Sequence, residues 1–312
     1  MSSNSIHTTD AVAAVAEYYL NPGEGVKFGS IENPESNDFH SSQYSGIYSS
    51  SESCLPCHDQ FIRDNPIEAT FSEWGNSFNA MSGLNSCQQC HMPTMPDPSR
   101  PGKMMHSHYF AGVDVDLGQS INESSDQYIA VKSLLESALD ISFEYYSDTL
   151  ANSILVGDTL MVPLTIISNT DHKIPTGTSF SREMWLELTL MDQDENILFE
   201  VGRLEDSSEY LDYYDSNLKY FTRIMLDQNS DTTFQASDAF YDIDKTIDTR
   251  NTLRYKYYIP TDNLNASDLI LRARMLFRPF NPKVLEPAHS DLIQNVPIFE
   301  MERIESFINL VE

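Results

Sequence analysis

Cys54-Leu55-Pro56-Cys57-His58 and Cys87-Gln88-Gln89-Cys90-His91 repeat one arrangement, and together they use all four cysteines of the chain. Two thiols three positions apart can add to the two vinyl groups of one porphyrin. The histidine that follows can then reach the iron, so the pattern predicts two covalently bound haems of the c type. A four-cysteine zinc site also uses two such pairs, but it gives no reason for a histidine after both. A thioredoxin-like redox pair needs a βαβ setting, which the polar, Ser-rich run before Cys54 does not offer. Two structural disulfides would leave His58 and His91 unexplained.

If His58 and His91 are the proximal ligands, a six-coordinate iron needs a further ligand from elsewhere in the chain. Outside the motifs stand His7, His40, His106, His108, His172 and His289, with Met81, Met92, Met104 and Met105 near enough in sequence to compete. His172 lies in a loop after a predicted strand, in Asn169-Thr170-Asp171-His172-Lys173-Ile174-Pro175-Thr176-Gly177. It either holds that loop by side-chain hydrogen bonds or presses against the haem domain, near a propionate or an iron. His7 at the terminus and His289 in a Pro-flanked tail read as solvated residues.

The elements that must position these groups fall into two parts. Residues 10–19 have the pattern of a short helix, ended by the breaker run Asn21-Pro22-Gly23-Glu24-Gly25. Residues 29–53 are rich in Ser, Asn and Tyr with little periodicity, which suits a chain wrapping a cofactor. Residues 67–78 have helical spacing, with Phe71, Trp74 and Phe78 along one face, able to pack on porphyrin or on a plain core. Residues 127–139 form an amphipathic pattern with Ile129, Leu134, Leu135 and Leu139 as the buried stripe. Strands are then predicted over 141–146, 159–167, 184–191, 197–201, 220–226, 253–259 and 269–277; residues 281–312 are placed only loosely. The reading is an α+β chain of two domains. A loop-rich, partly helical dihaem domain over 1–125 is joined by a linking helix over 126–140 to an antiparallel immunoglobulin-like β-sandwich over 141–312. The first domain has few apolar side chains for its length, so porphyrin is expected to supply much of its core.

Composition sets limits. The 312 residues are 40% hydrophobic, and 47 acidic against 19 basic residues give a net charge of −28. Nucleic acid, which requires a basic footprint, is excluded as a partner. An acidic face can steer a basic redox partner, and it equally serves as a solvated surface suited to salty water. No segment approaches the roughly 20 apolar residues that span a bilayer. The first twenty residues lack the basic and apolar regions of an intact signal peptide. Haem is normally attached to such motifs after export, so the expectation is a periplasmic or extracellular protein whose signal is missing from this numbering.

Larger blocks carry a family likeness. Glu73-Trp74-Gly75-Asn76-Ser77, then Cys87 to His91 with Met92-Pro93, then His108-Tyr109-Phe110-Ala111-Gly112, resemble multihaem cytochromes c related to the cytochrome c-554 group. Upstream, Phe28-Gly29-Ser30-Ile31, His40 and Ser53-Cys54 resemble that group's approach to a haem motif. Downstream, His172-Lys173-Ile174-Pro175-Thr176-Gly177, Arg182 and Trp185-Leu186 resemble a segment of its C-terminal β domain. The resemblance implies His40 and His108 as distal ligands. His106, two residues from His108, and His172 are held in reserve on their positions in the sequence. The chain departs from the group in having two haem motifs where relatives often carry four or more, and Asn79 where some have histidine.

The functional expectation is a dihaem electron carrier with both irons closed, working with redox partner proteins that include other cytochromes. One alternative is a haem enzyme with an open iron, of peroxidase or nitrogen-oxide reductase type. Another is a subunit whose β domain docks it to a partner or packs it into a homo-oligomer or filament outside the cell. No Ser-His-Asp, P-loop or Rossmann signature points to other chemistry.

Overall fold

A computed structural model of the chain describes residues 3–5, 16–18, 25–108, 110–118, 121–204, 209–262, 264 and 268–311. The chain divides into two compact units, each drawn from separated stretches. The first comprises Met1–Gly112, Asp171–Thr178 and Ile224–Ile243, and the second comprises Val113–Thr170, Ser179–Arg223 and Asp244–Glu312. This differs from the successive ranges 1–125, 126–140 and 141–312, because two later segments belong with the haem motifs.

The first unit is assembled from short pieces. Ser3–Ser5 pairs antiparallel with Ala16–Tyr18, so part of the stretch predicted as a helix over 10–19 is a strand. The rest of that stretch, with His7 and the breaker residues 21–24, lies outside the described residues. Where a loop is predicted over 29–53, Ser41–Tyr44 pairs parallel with Val26–Gly29 at its start, and two 3-10 turns, Gly46–Ser49 and Ser51–Ser53, lead into helix α1, Leu55–His58. Pro56 stands in the first turn of α1, where its missing N–H costs nothing. A ribbon of Gln60–Ile62 and Asn65–Glu68 follows. The helix predicted over 67–78 is two helices, α2 (Thr70–Gly75) and α3 (Phe78–Met81). The break falls at Ser77, whose hydroxyl accepts from Ala80 N at 3.1 Å and caps α3. Phe71 and Trp74 keep ring contact at 5.5 Å, whereas Phe78 is exposed, so the predicted aromatic face is split. Helix α4, Cys87–His91, starts from a capping box in which Ser86 N donates to Gln89 Oε1. Thr94–Pro96 then pairs with Met104–His106.

These pieces enclose almost no apolar interior. Among the described residues from 25 to 112, Ala69 is the one hydrophobic side chain that is buried, while Phe39 is 93% exposed and Phe78, Met81 and Phe110 lie in the open.

The second unit has an ordinary core. Helix α5, Asp126–Glu136, is capped by Ser125 and buries Val131 and Leu135, with Tyr128 in tilted ring contact with Phe299 at 5.0 Å. Ile129, expected in the buried stripe, is exposed. One sheet runs in the order Ser153–Leu155, Phe299–Val311, Asp268–Arg278, Glu183–Met191, Ile197–Val201, with Lys219–Phe221 also paired to Glu183–Met191; a second runs Thr252–Pro260, Thr159–Ser168, Leu139–Ser142. Leu160, Val162, Leu164 and Ile166 are fully buried, each two residues from the next, as one face of a pleated strand requires. Five of the predicted strands are found within one or two residues. The other two are broken: 141–146 into Leu139–Ser142 and Glu144–Tyr145, and 220–226 at Thr222. The predicted strands pair antiparallel with one another, and Ser153–Leu155, which the sequence did not predict, lies parallel to Phe299–Val311. Helix α6, Pro282–His289, and the 13-residue strand Phe299–Val311 occupy the stretch the sequence left loosely placed, and His289 is exposed. Among the described residues no helix is long and apolar enough to cross a membrane.

Candidate functional site

The two cysteine motifs are held against each other. Cys87 N donates to Ser51 Oγ at 3.1 Å, and Gln88 Nε2 donates to Ser50 O at 2.7 Å and to Ser53 Oγ at 3.2 Å, so the start of α4 is tied to the turns that precede α1. The first thiols of the two motifs meet as a result. A hydrogen bond from Cys87 lowers the Cys54 thiol to about 6, and the same contact, with burial, pushes Cys87 up. Cys57 and Cys90 are exposed, and none of the four forms a disulfide. Among the described residues no three His, Cys, Asp or Glu side chains group so as to hold a metal ion by themselves.

The histidines share one arrangement. His58 Nδ1 lies 3.3 Å from Glu68 Oε1, which raises its pKa. His91 Nδ1 lies 2.7 Å from Ala111 O, His106 Nδ1 2.6 Å from Met92 O, His172 Nδ1 2.8 Å from Lys173 O and His40 Nδ1 3.1 Å from Ser41 O. Carbonyl and carboxylate oxygens only accept, so Nδ1 is the donor in each, and Nε2 is the nitrogen that carries a lone pair when the ring is neutral. That is the tautomer and orientation that a metal-binding imidazole needs. In His40 that second nitrogen lies 3.3 Å from Asn37 Nδ2.

Two histidine rings lie side by side among the described residues. His91 and His172 have ring centres 6.2 Å apart and planes at 28°. Among the described residues no ring contact joins His40, His106 or His108 to His58 or His91, and His106 and His108 are exposed. Burial, the largest influence on His172, lowers its pKa and favours the neutral ring.

A strap of residues 171–178 places His172. Asp171 accepts from Asn79 Nδ2 at 2.9 and 3.0 Å and from Asn85 Nδ2 at 2.9 Å. On the other side of the histidine, Glu73 Oε2 accepts from Lys173 N at 3.2 Å and from Thr176 Oγ1 at 2.5 Å, and Gly177 N donates to Thr70 Oγ1 at 3.1 Å. Ile174 is buried, and Gly177 takes a φ of 75° that favours glycine. Glu68, Glu73 and Asp171 had no role assigned from sequence. The partners of Asp171 and Glu73 lie 86 to 103 positions away, so no local pattern announces them.

No family model matches the sequence, and no curated protein sequence matches it. Among solved structures, the chain is similar to the crystal structure of a penta-heme cytochrome c552 from Thermochromatium tepidum, with a TM-score of 0.63 and 18% identity over 89% of this chain. The matched region spans 63% of that protein's length. At this identity the likeness is one of fold.

Proposed function

We propose that the chain is a dihaem c-type cytochrome that passes electrons outside the cytoplasm. Cys54 and Cys57 would hold one haem and Cys87 and Cys90 the other, with His58 and His91 as proximal ligands. The haem iron supplies reversible one-electron chemistry. The protein's part is to fix ligands, exclude water and set the distance between sites.

The observation that carries this reading is the missing interior of the first unit. A stretch with one buried hydrophobic residue and several exposed aromatic ones lacks the apolar burial that offsets chain entropy. Two flat apolar groups bonded to its cysteines would provide that burial. Two further features fit the same group. Each motif histidine presents Nε2 as its ligand nitrogen. Trp74 Nε1, a donor only, is buried with no hydrogen-bond partner among the described residues, and a carboxylate such as a propionate would satisfy it. The contact between Cys54 and Cys87 makes the two attachment points adjacent, which favours exchange of electrons between them.

In this reading the group resembled is the multihaem cytochromes c related to cytochrome c-554, and the two sheets of the second unit form an immunoglobulin-like sandwich that presents the haem unit to redox partner proteins. The acidic surface suits brief, electrostatically steered encounters. Intact mass of the protein made in cells with haem-attachment machinery is expected to exceed the polypeptide by two haems, and reduced protein is expected to pass electrons to an added cytochrome. Bare chain or chain plus zinc would overturn the haem assignment. Sustained turnover of peroxide, nitrite or hydroxylamine would overturn the carrier assignment.

A further inference from the structure

We propose that His172 is the distal axial ligand of the iron whose proximal ligand is His91. The inference rests on the haem reading above and replaces, for this iron, the distal histidines that the family resemblance implies.

The argument begins with distance. Two imidazoles on opposite sides of one metal, each bonded at about 2 Å, have ring centres roughly 6 Å apart. His91 and His172 stand at 6.2 Å. Orientation permits this placement. The planes are within 28° of parallel, and in each ring Nδ1 is held by a backbone carbonyl, Ala111 O for His91 and Lys173 O for His172. Nε2 is therefore the ligand nitrogen of both.

Position is fixed from both flanks. Asn85, which donates to Asp171, lies two residues before Cys87 and so belongs to the segment that starts α4. Glu73 holds the backbone at Lys173. The same stretch of chain thus sets both the motif helix that ends in His91 and the loop that carries His172. The rivals have weaker claims. His40 directs Nε2 to Asn37, His108 is exposed, and Met81 is 71% exposed.

The experiment uses the whole protein and four variants: His172→Ala, His172→Met, His108→Ala and His40→Ala. Haem content is taken from intact mass and ligation from ferric paramagnetic resonance, optical spectra and redox titration. His172→Ala is expected to keep two haems, to turn half of the haem signal from low-spin to high-spin or water-bound, and to bind one carbon monoxide per chain on reduction. Added imidazole should restore the low-spin signal. His172→Met is expected to raise the potential of one haem, because a thioether ligand favours the reduced iron, and to show a sulfur-to-iron band. Neither change follows from loss of a loop-holding hydrogen bond. If His172→Ala fails to accumulate, His172→Met carries the test.

A low-spin, carbon monoxide-inert His172→Ala, or a His172→Met with unchanged potentials and spectrum, would overturn the assignment. So would a His108→Ala or His40→Ala variant that opens the His91 iron. A wild-type protein without haem would instead overturn the proposed function, which keeps the two failures apart.

Discussion

Replacing Cys54, Cys57, Cys87 and Cys90 together by alanine tests the interior of the first unit, because it removes the attachment points while changing little surface. Cys57 and Cys90 are already exposed. Large apolar side chains between residues 25 and 112, among them Phe39, Phe78, Met81, Leu84, Met104 and Phe110, are left in water by the polypeptide alone. With the partly exposed Phe28, Ile31, Tyr44 and Met95, they amount to roughly six side chains' worth of apolar surface. Covering half of it contributes on the order of 5–9 kcal/mol at about 1.5–3 kcal/mol per side chain. That is comparable to the whole stability of a domain. The variant should therefore lose protection of amides over 25–112 and be cut there by protease, while the strands Thr159–Ser168 and Glu183–Met191 stay protected. Hydrogen exchange read by mass spectrometry resolves both regions in one sample. A variant whose first unit stays protected without haem would refute the reasoning, because it would show a core that the side chains do not provide.

Other consequences are narrower. Glu73→Gln weakens the acceptor that holds Lys173 N and Thr176 Oγ1, a loss on the order of 2 kcal/mol for bonds to a charged group, so the amides of the strap should exchange roughly thirtyfold faster. Asp97 is held at about 2, below its usual 3.8, chiefly by hydrogen bonds from Ser99 and Arg100; its contribution is present above the usual value and fades as pH falls from about 4 to 2. Asp97→Asn should abolish that acid dependence, which a carboxylate titration by nuclear magnetic resonance would reveal. In the second unit Arg278 and Glu183 form a fully buried ion pair. Arg278→Met should cost about 3–5 kcal/mol in urea unfolding by leaving that carboxylate uncompensated, and Glu183→Gln in the same chain should recover part of it.

The parts legible in the sequence are those whose signal is local. The cysteine motifs announce themselves in five residues. Thr159–Ser168, Glu183–Met191 and Ile197–Val201 are apolar or alternating runs of strand length, and they fold as such. Phe299–Val311 escaped because its period changes phase: Phe299 and Met301 are buried, and so are Ile308 and Leu310, an odd number of positions later. A register shift between Met275 and Leu276 in the paired strand goes with that change. Between those ends Glu300 and Glu305 are paired with Arg274 and Arg272 across the sheet, which reads as a polar surface when only one strand is in view. The buried stripe of α5 is rotated from the one its apolar pattern predicts. Tyr128 and Val131, less apolar than Ile129, face the sheet because Phe299 is there to meet Tyr128. The strap is illegible locally for a different reason. His172 could be seen as a residue of interest, but its neighbour His91 and the carboxylate of Glu73 come from the first hundred residues, and nothing local states the pairing.

That pairing bears on whether the second iron would exchange electrons or act on a substrate. Turnover at a haem requires the distal position to empty often enough for another ligand to compete. A histidine on a free loop leaves readily, because only the metal bond holds it. His172 is tied on both sides, by Asp171 to Asn79 and Asn85 and by Glu73 to Lys173 and Thr176. If His172 holds the iron as proposed, moving it away means breaking contacts with two carboxylates as well as the metal bond. If each carboxylate contributes about 2 kcal/mol, the strap alone holds the open state near one part in a thousand. A small substrate would meet a closed iron on almost every encounter. An electron needs no vacant site, so the arrangement that suppresses turnover leaves transfer unimpeded. On this argument the strap is what separates a carrier from a catalyst, and loosening it through Asp171→Ala and Glu73→Gln together should admit carbon monoxide at the second iron faster by two to three orders of magnitude, roughly the change in open population. An unchanged binding rate would show that something other than the strap keeps that position closed.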